Sequence, residues 1–315
     1  MAIEGLSAGE AAALAGLKAE IAAVGDGDPK YEWMLATDSV VQMRFLRGHK
    51  LSVPKAFKLL KQCSAWRHEY GTNDILTTWP QDQSQEAILL RSKWPLGITG
   101  QDFSGRPVHF FHLAMTDFPK LLQHVSITTI VRYNVYLMEK ALTKNPKGEA
   151  IMLLDLGHGA DGKSAFSLLT AARWLTSLLV FVKAMAKIAD PYYPESYFRI
   201  YFCRLNRVLE SMFHKVSSSM NDSTLSKVQL LSKSDVLEKL LEDMPIESIP
   251  RSLGGTSIAD IATGGIVKDA DVSAASEEAA EKAGGSQPEA RKSSRITSLR
   301  KSIAKRLSLS GTQEE

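Results

Sequence analysis

Between Ser52 and Gly71, apolar side chains at Ala56, Leu59, Leu60, Cys63 and Trp66 return every three or four residues. That spacing gathers them on one stripe of a helix. Ser52 stands at the capping position, Pro54 falls in the first turn and Gly71 ends the run. "DSVVQMRFLRGHK", just before it, reads as a second helix, and the alanine-rich start of the chain as a third. Further along, the pattern changes. "RPVHFFHLA" (106–114), "AIMLLDLG" (150–157), "FRIYFCRL" (198–205) and "KVQLLS" (227–232) are short apolar runs. The second and third are apolar or aromatic for most of their length, as strands covered on both faces are. Helical patterning fills about 122–143 and 162–189 between them. This alternation predicts an α/β sheet with crossover helices, and no internal repeat interrupts it.

Composition sets the outer limits. With 315 residues and 44% hydrophobic content, the chain can bury one large core or two modest ones. Beyond about Gly265 it turns to Ala, Glu, Ser, Gly and Lys without an aromatic residue, and burial there cannot offset the entropy of ordering. The expected organisation is a helical extension at 1–36, a helical lobe at 37–80, an α/β lobe at 81–262, a disordered linker at 263–290 and a basic tail at 291–315. The N-terminal run carries Glu4 and Glu10 and no early basic cluster, unlike a secretory signal. The most apolar run, Ala165 to Ala186, is interrupted by Arg173 and Lys183, so it predicts a buried helix and no bilayer span. Two cysteines, Cys63 and Cys203, with no CxxC or His/Cys cluster, fit a reducing compartment and no metal site.

The net charge of +3 is unevenly distributed. From Arg291 onward seven Lys or Arg face two acids, which leaves the preceding residues at about −2. Within "RKSSRITSLRKSIAKRLSLS" (291–310) there is no acid, and Ile296, Leu299, Ile303 and Leu307 recur at spacings of three and four. A basic amphipathic helix is the expectation, with Arg295, Arg300, Lys301, Lys305 and Arg306 facing an anionic membrane at about 1 kcal/mol each. Ser294, Ser302 and Ser308 follow basic residues, so phosphorylation is expected to weaken that attachment. Calmodulin binding, nuclear import or a solvated charge run are the competing uses of such a segment. Nothing in the chain marks a nucleic-acid partner.

Five blocks, "MRFLRGHKLSVPKAFKLLKQCSAWRHEYG", "GRPVHFF", "IMLLDLGHG", "DPYYPESYFRIYFCRLN" and "IESIPRSLGGTS", follow one another from about Ser39 to Ser257. In order and spacing they resemble the CRAL-TRIO family, and within it the phosphatidylinositol transfer proteins more than the retinoid and tocopherol binders. The resemblance implies a helical N-terminal lobe on a mixed α/β lobe whose sheet floors an apolar pocket, with one helix as a gate. In "RVLESMFHKVSSSM" (207–220), Val208, Leu209, Met212, Phe213 and Val216 form one apolar strip, and Arg207, Glu210, Ser211 and Lys215 lie elsewhere. On its own that strip fits a helix capping a core; the resemblance makes it the gate.

The resemblance also implies a phosphatidylinositol headgroup site at Arg67, Glu195, Thr224 and Lys227. Arg67 and Lys227 would neutralise the phosphodiester, Thr224 donate a hydroxyl, and Glu195 orient Lys227 and accept from inositol hydroxyls. The chain departs from the family pattern at His68 and Ser196, where further basic residues are common. Ala150 and Met152 stand where phosphatidylcholine binders place hydroxyls, which argues against phosphatidylcholine as a second ligand and leaves room for a sterol or another apolar molecule, between which the sequence does not choose. "PRSLGG" is a hallmark near the end of the lobe: Pro250 is read as stopping the helix before it, and Gly254 and Gly255 as permitting unusual angles or close approach.

Carriage in a closed pocket follows from energetics. At about 0.8 kcal/mol per methylene, two acyl chains of about 30 methylenes would lose more than about 20 kcal/mol in water. Exchange therefore has to take place against a membrane. The expectation is a cytosolic, peripherally bound carrier with phospholipid as ligand, no cofactor and no catalysis. The alternatives are a lipid-sensing module docking on a lipid kinase or another partner, and a carrier of sterol, retinoid or tocopherol. Asp155, His158 and Asp161 supply acid/base side chains, but the loop lacks a nucleophile elbow, a P-loop or metal-ligand spacing.

Overall fold

In the computed structural model, residues 5–25, 27–143, 145, 148–157, 168–205, 210, 211, 213, 217, 222–258, 277, 278 and 281 are described. Helix α1 (Ala8–Ala22) opens with a capping box in which Ser7 Oγ accepts from the Glu10 amide and Glu10 takes the Ser7 amide. It packs with α2 (Glu32–Leu35), α3 (Ser39–Gly48) and α4 (Val53–Tyr70) around Leu17, Met34, Phe45, Leu46, Ala56, Leu60 and Cys63. Residues 1–36, read as an extension, thus contribute α1 and α2 to the core of the helical lobe. On α4 the predicted stripe is the buried one, and Gly71 ends the helix in the left-handed region at φ 71°.

Helices α5 (Ile75–Gln81) and α6 (Gln85–Lys93) lead into a five-stranded sheet of order β1-β2-β3-β4-β5. Strand β1 (Leu96–Gln101) runs antiparallel to β2 (Pro107–Phe111), and β3 (Ala150–Asp155), β4 (Tyr197–Leu205) and β5 (Val228–Ser232) follow in parallel. Four strands coincide with the apolar runs. β1 did not stand out because "LGITGQ" holds two glycines and little apolar content. A Cβ at Gly100 would collide with the Ser248 side chain, which bonds both the amide and the carbonyl of Gln101 (3.0 and 2.7 Å).

The helix expected over 122–143 is two: α7 (Phe118–His124) and α8 (Ile127–Leu142). Ser126 separates them. Its backbone is extended, its hydroxyl accepts from the Thr129 amide, and Glu86 of α6 takes the Ser126 N–H at 3.1 Å. Helix α9 (Leu168–Tyr192) crosses from β3 to β4. Two short helices flank β5, α10 (Asp222–Leu225) and α11 (Val236–Leu241). α11 stops at Leu241, well before Pro250, so Pro250 is not its terminator. Instead Pro250 opens a 3-10 turn, Arg251–Leu253, that Gly254 closes at φ 92°. A Cβ at Gly255 would overlap the Ile249 carbonyl, so this stretch needs glycine for close approach as well as for angle.

Period-two alternation assigns each face of the sheet. Val108, Phe110, Ile151, Leu153, Tyr201 and Cys203 pack on Val236, Leu240, Met244, Ile249 and Leu253 behind it. The front face looks toward α8 and α9. Several contacts lock the helical lobe to this body. Arg44 Nε donates to the Pro194 carbonyl at 3.0 Å and Nη2 to Ser196 Oγ at 2.6 Å, and Trp66 stacks on Tyr192 with centroids 4.3 Å apart.

Candidate lipid-binding site

The front face of the sheet carries two rows of side chains set by strand register. Ile98, His109, Met152 and Ile200 form one, and Leu96, Phe111, Leu154 and Phe202 the other. Above them α8 contributes Tyr133, Tyr136 and Leu137, α9 contributes Trp174, Leu178, Phe181 and Met185, and α5 contributes Trp79. Together they enclose a cavity of about 760 Å³, within the range of sites that hold one sizeable organic molecule. Its walls are stiffened by aromatic stacking, Trp79 on Tyr133 at 5.2 Å and Tyr133 on Tyr136 at 6.0 Å. Trp174 is pinned by its indole N–H, which donates to the Thr116 carbonyl at 2.8 Å.

Few polar groups reach this space. His109 is the polar member of an otherwise apolar row, and its Nε2 is buried with no hydrogen-bond partner among the described residues. Burial holds its imidazole down to about 4, so the ring is neutral at physiological pH. Tyr197 stands edge-on to it, centroids 6.0 Å apart. Asn134 on α8 spends its amide N–H on the Ile130 carbonyl at 2.8 Å. Arg91 and Lys140 line the cavity as well. Sequence reasoning missed His109; the signal was a histidine among apolar residues in a run read as a buried strand.

Of the expected gate strip, Phe213 is described. It is buried, lines the cavity and meets Phe202 edge-on at 4.9 Å, while Glu210 and Ser211 are exposed. Val208, Leu209, Met212 and Val216 lie outside the described residues, as do the tail residues Arg295, Arg300, Lys301, Lys305 and Arg306.

Three of the four expected headgroup residues are neighbours. Lys227 pairs with Glu195, whose other oxygen accepts from Ser223 Oγ at 3.1 Å, and the Thr224 carbonyl takes the Lys227 amide at 3.1 Å. Glu195 is held with φ at 53°, an angle uncommon for a residue with a side chain. Arg67, the fourth, is bonded elsewhere in this structure. It is 5% exposed and donates twice to Glu139 of α8 (2.8 and 2.9 Å) and once to Asn73 (3.2 Å) while lying over the Trp33 ring at 4.4 Å. Tyr193 adds a bond to the same carboxylate at 2.6 Å. Every guanidinium nitrogen of Arg67 is thus committed to the fold. Ser196, one of the departures, is the serine that Arg44 grips.

Asp155 is likewise structural. It is fully buried, accepts two bonds from Arg204 at 2.7 Å each, and takes the Gly157 amide and the Ser252 hydroxyl at 2.9 and 3.1 Å. His158 and Asp161 lie outside the described residues. No group of three or more metal-ligating side chains occurs among the described residues, and no helix there is long and apolar enough to cross a membrane.

A two-lobed molecule with an apolar cavity between a mixed sheet and two crossover helices defines a class, and comparison identifies it. Residues 91–255 match the CRAL/TRIO domain, and the chain belongs to that family. Among its relatives is the SEC14 cytosolic factor of Candida glabrata, 28% identical over 248 residues, covering 73% of this chain and 74% of that protein. Another is the phosphatidylinositol/phosphatidylcholine transfer protein SFH13 of Arabidopsis thaliana, 28% identical over 226 residues, which span 68% of this chain and 34% of that protein. The crystal structure of Sfh5 superposes with a TM-score of 0.58 at 16% identity, over 88% of this chain and 99% of the other, a likeness of fold.

Proposed function

We propose that this protein carries phosphatidylinositol, taking the acyl chains into the cavity between sheet and helices and exchanging them at a membrane surface in the cytosol. The single observation that carries this reading is the cavity of about 760 Å³ with its aliphatic and aromatic walls. The names of the SEC14 and SFH relatives support it, as does the chemistry of Glu195, just before β4, with Thr224 and Lys227, just before β5. In this reading Lys227 exchanges Glu195 for the lipid phosphate, Thr224 assists, and Arg67 holds the lobes together. The protein performs no covalent chemistry on its cargo.

Transfer of labelled phosphatidylinositol between vesicles tests the proposal. Lys227→Ala is expected to lower transfer at least tenfold with the fold intact. Met152→Trp together with Leu178→Trp, which fills the cavity, should abolish uptake of any lipid. Full transfer by the filled variant would overturn the cavity as carrier; full transfer by Lys227→Ala would overturn the headgroup site alone.

A further inference from the structure

Seven large apolar side chains stand exposed among the described residues, and four of them, Phe103, Leu241, Ile246 and Ile258, follow the outer edge of β1. Phe103, at the tip of the β1–β2 hairpin, donates its amide to the Asp243 carbonyl at 3.0 Å, which sets it against the end of α11 and Leu241. The Ile246 carbonyl accepts from Thr256 at 3.0 Å, and Ser257 Oγ donates to the Thr99 carbonyl at 3.0 Å, so Ile246 and Ile258 lie farther along the same edge. The strip follows β1 from Thr99 to Gln101 and continues onto the turn at Phe103. Phe103 is 68% exposed and Ile258 85%, a burden of wetted apolar surface that nothing in the described fold relieves. Exposed acids border it. Glu238, Glu242 and Glu247 lie on this stretch, and residues 238–258 carry four acids and two cations.

We infer that this strip receives the chain's own basic segment, residues 291–310. The continuously described part of the fold runs to Ile258, at one end of the strip, so the tether starts where the site is. The 32 residues from 259 to 290, of which Glu277, Glu278 and Glu281 are described as helical, are long enough to return along the strip, at an effective concentration on the order of millimolar. A helix of twelve residues, Ile296 to Leu307, would be about 17 Å long. Its apolar residues and seven cations match an apolar floor with acidic borders. The same acids repel an anionic bilayer, which makes the strip a poor membrane face and a good resting place for the segment that seeks one. Body and membrane then compete for one tail. Docking withholds the tail from weakly charged surfaces and releases it at strongly anionic ones.

Carbodiimide cross-linking of the full-length monomer at low salt, read by peptide mass spectrometry, is the test. Expected are intramolecular links from Lys292, Lys301 or Lys305 to Glu238, Glu242 or Glu247. Phe103→Ser with Leu241→Ser, which leaves charge unchanged and alters only exposed side chains, should lose these links and bind phosphatidylserine vesicles several-fold more tightly. Links confined to Glu277, Glu278 or Glu281 of the tether, links formed only between molecules, or unchanged vesicle binding by the double variant would each overturn the inference.

Discussion

Replacing Arg67 by alanine separates a fold-holding arginine from a lipid-holding one. The substitution leaves the Glu139 carboxylate, whose side chain is 12% exposed, with the Tyr193 hydroxyl as its remaining hydrogen-bond partner among the described residues. It also removes the bond to Asn73 and the guanidinium over Trp33. Stripping one partner from a buried ion pair costs about 3–5 kcal/mol. For a body of this size each kcal/mol lowers the melting temperature by about 2–4 °C, so the expected fall is about 6–20 °C. Urea and thermal denaturation of the lipid-free protein measure it. Arg67→Met with Glu139→Met, which removes both charges and keeps apolar volume, should recover most of the loss, and a double-mutant cycle over the two sites gives the coupling directly. The reasoning is refuted if Arg67→Ala unfolds within about 1 kcal/mol of wild type while losing phosphatidylinositol pickup. That result would return Arg67 to the headgroup site its sequence position first suggested.

Two further outcomes follow from buried groups. His109 stays neutral in the fold down to about pH 4 but accepts a proton near 6.5 when the chain unfolds. The unfolded state therefore binds more protons between those values, and stability should fall on acidification across this window by about 3 kcal/mol. His109→Phe should flatten that dependence in pH-resolved urea melts, with a smaller slope remaining from His112, whose burial also lowers it; an unchanged profile would show that His109 is not the group responsible. Gly255→Ala drives a methyl into the Ile249 carbonyl and should cost about 1–3 kcal/mol, whereas Gly9→Ala, in open space on α1, should stabilise by up to about 1 kcal/mol. Equal effects of the two substitutions would contradict the close approach at Gly255.

How far the chain could be read in advance depended on whether the signal was local. Strands β2 and β3 announce themselves because burial on both faces demands near-continuous apolar runs, β4 and β5 because their short runs are largely apolar, and α4 because one stripe must face a core. β1 hid because its place is fixed by pairing with β2 and by Ser248, more than 140 residues away in the chain, and not by its own side chains. Charge type was equally ambiguous. Lys227 and Glu195 meet as expected, but nothing near Arg67 in sequence reveals that a glutamate 72 residues on will claim it at both oxygens. His109 faces the cavity through the phase of a strand, and in "PVHFFHL" two histidines of opposite phase look alike until the register is known.

The interlock between the lobes bears on how the molecule can be cut. A recombinant fragment trimmed to the family match at 91–255 would lack Trp79 and Pro80 from the cavity wall, deprive Tyr192 of its stacking partner Trp66, and strand Glu139 without its counter-charge. The portion by which kinship is recognised is therefore smaller than the portion that completes the cavity and the lobe contacts, and any truncation meant to isolate the carrier must keep α4 and α5.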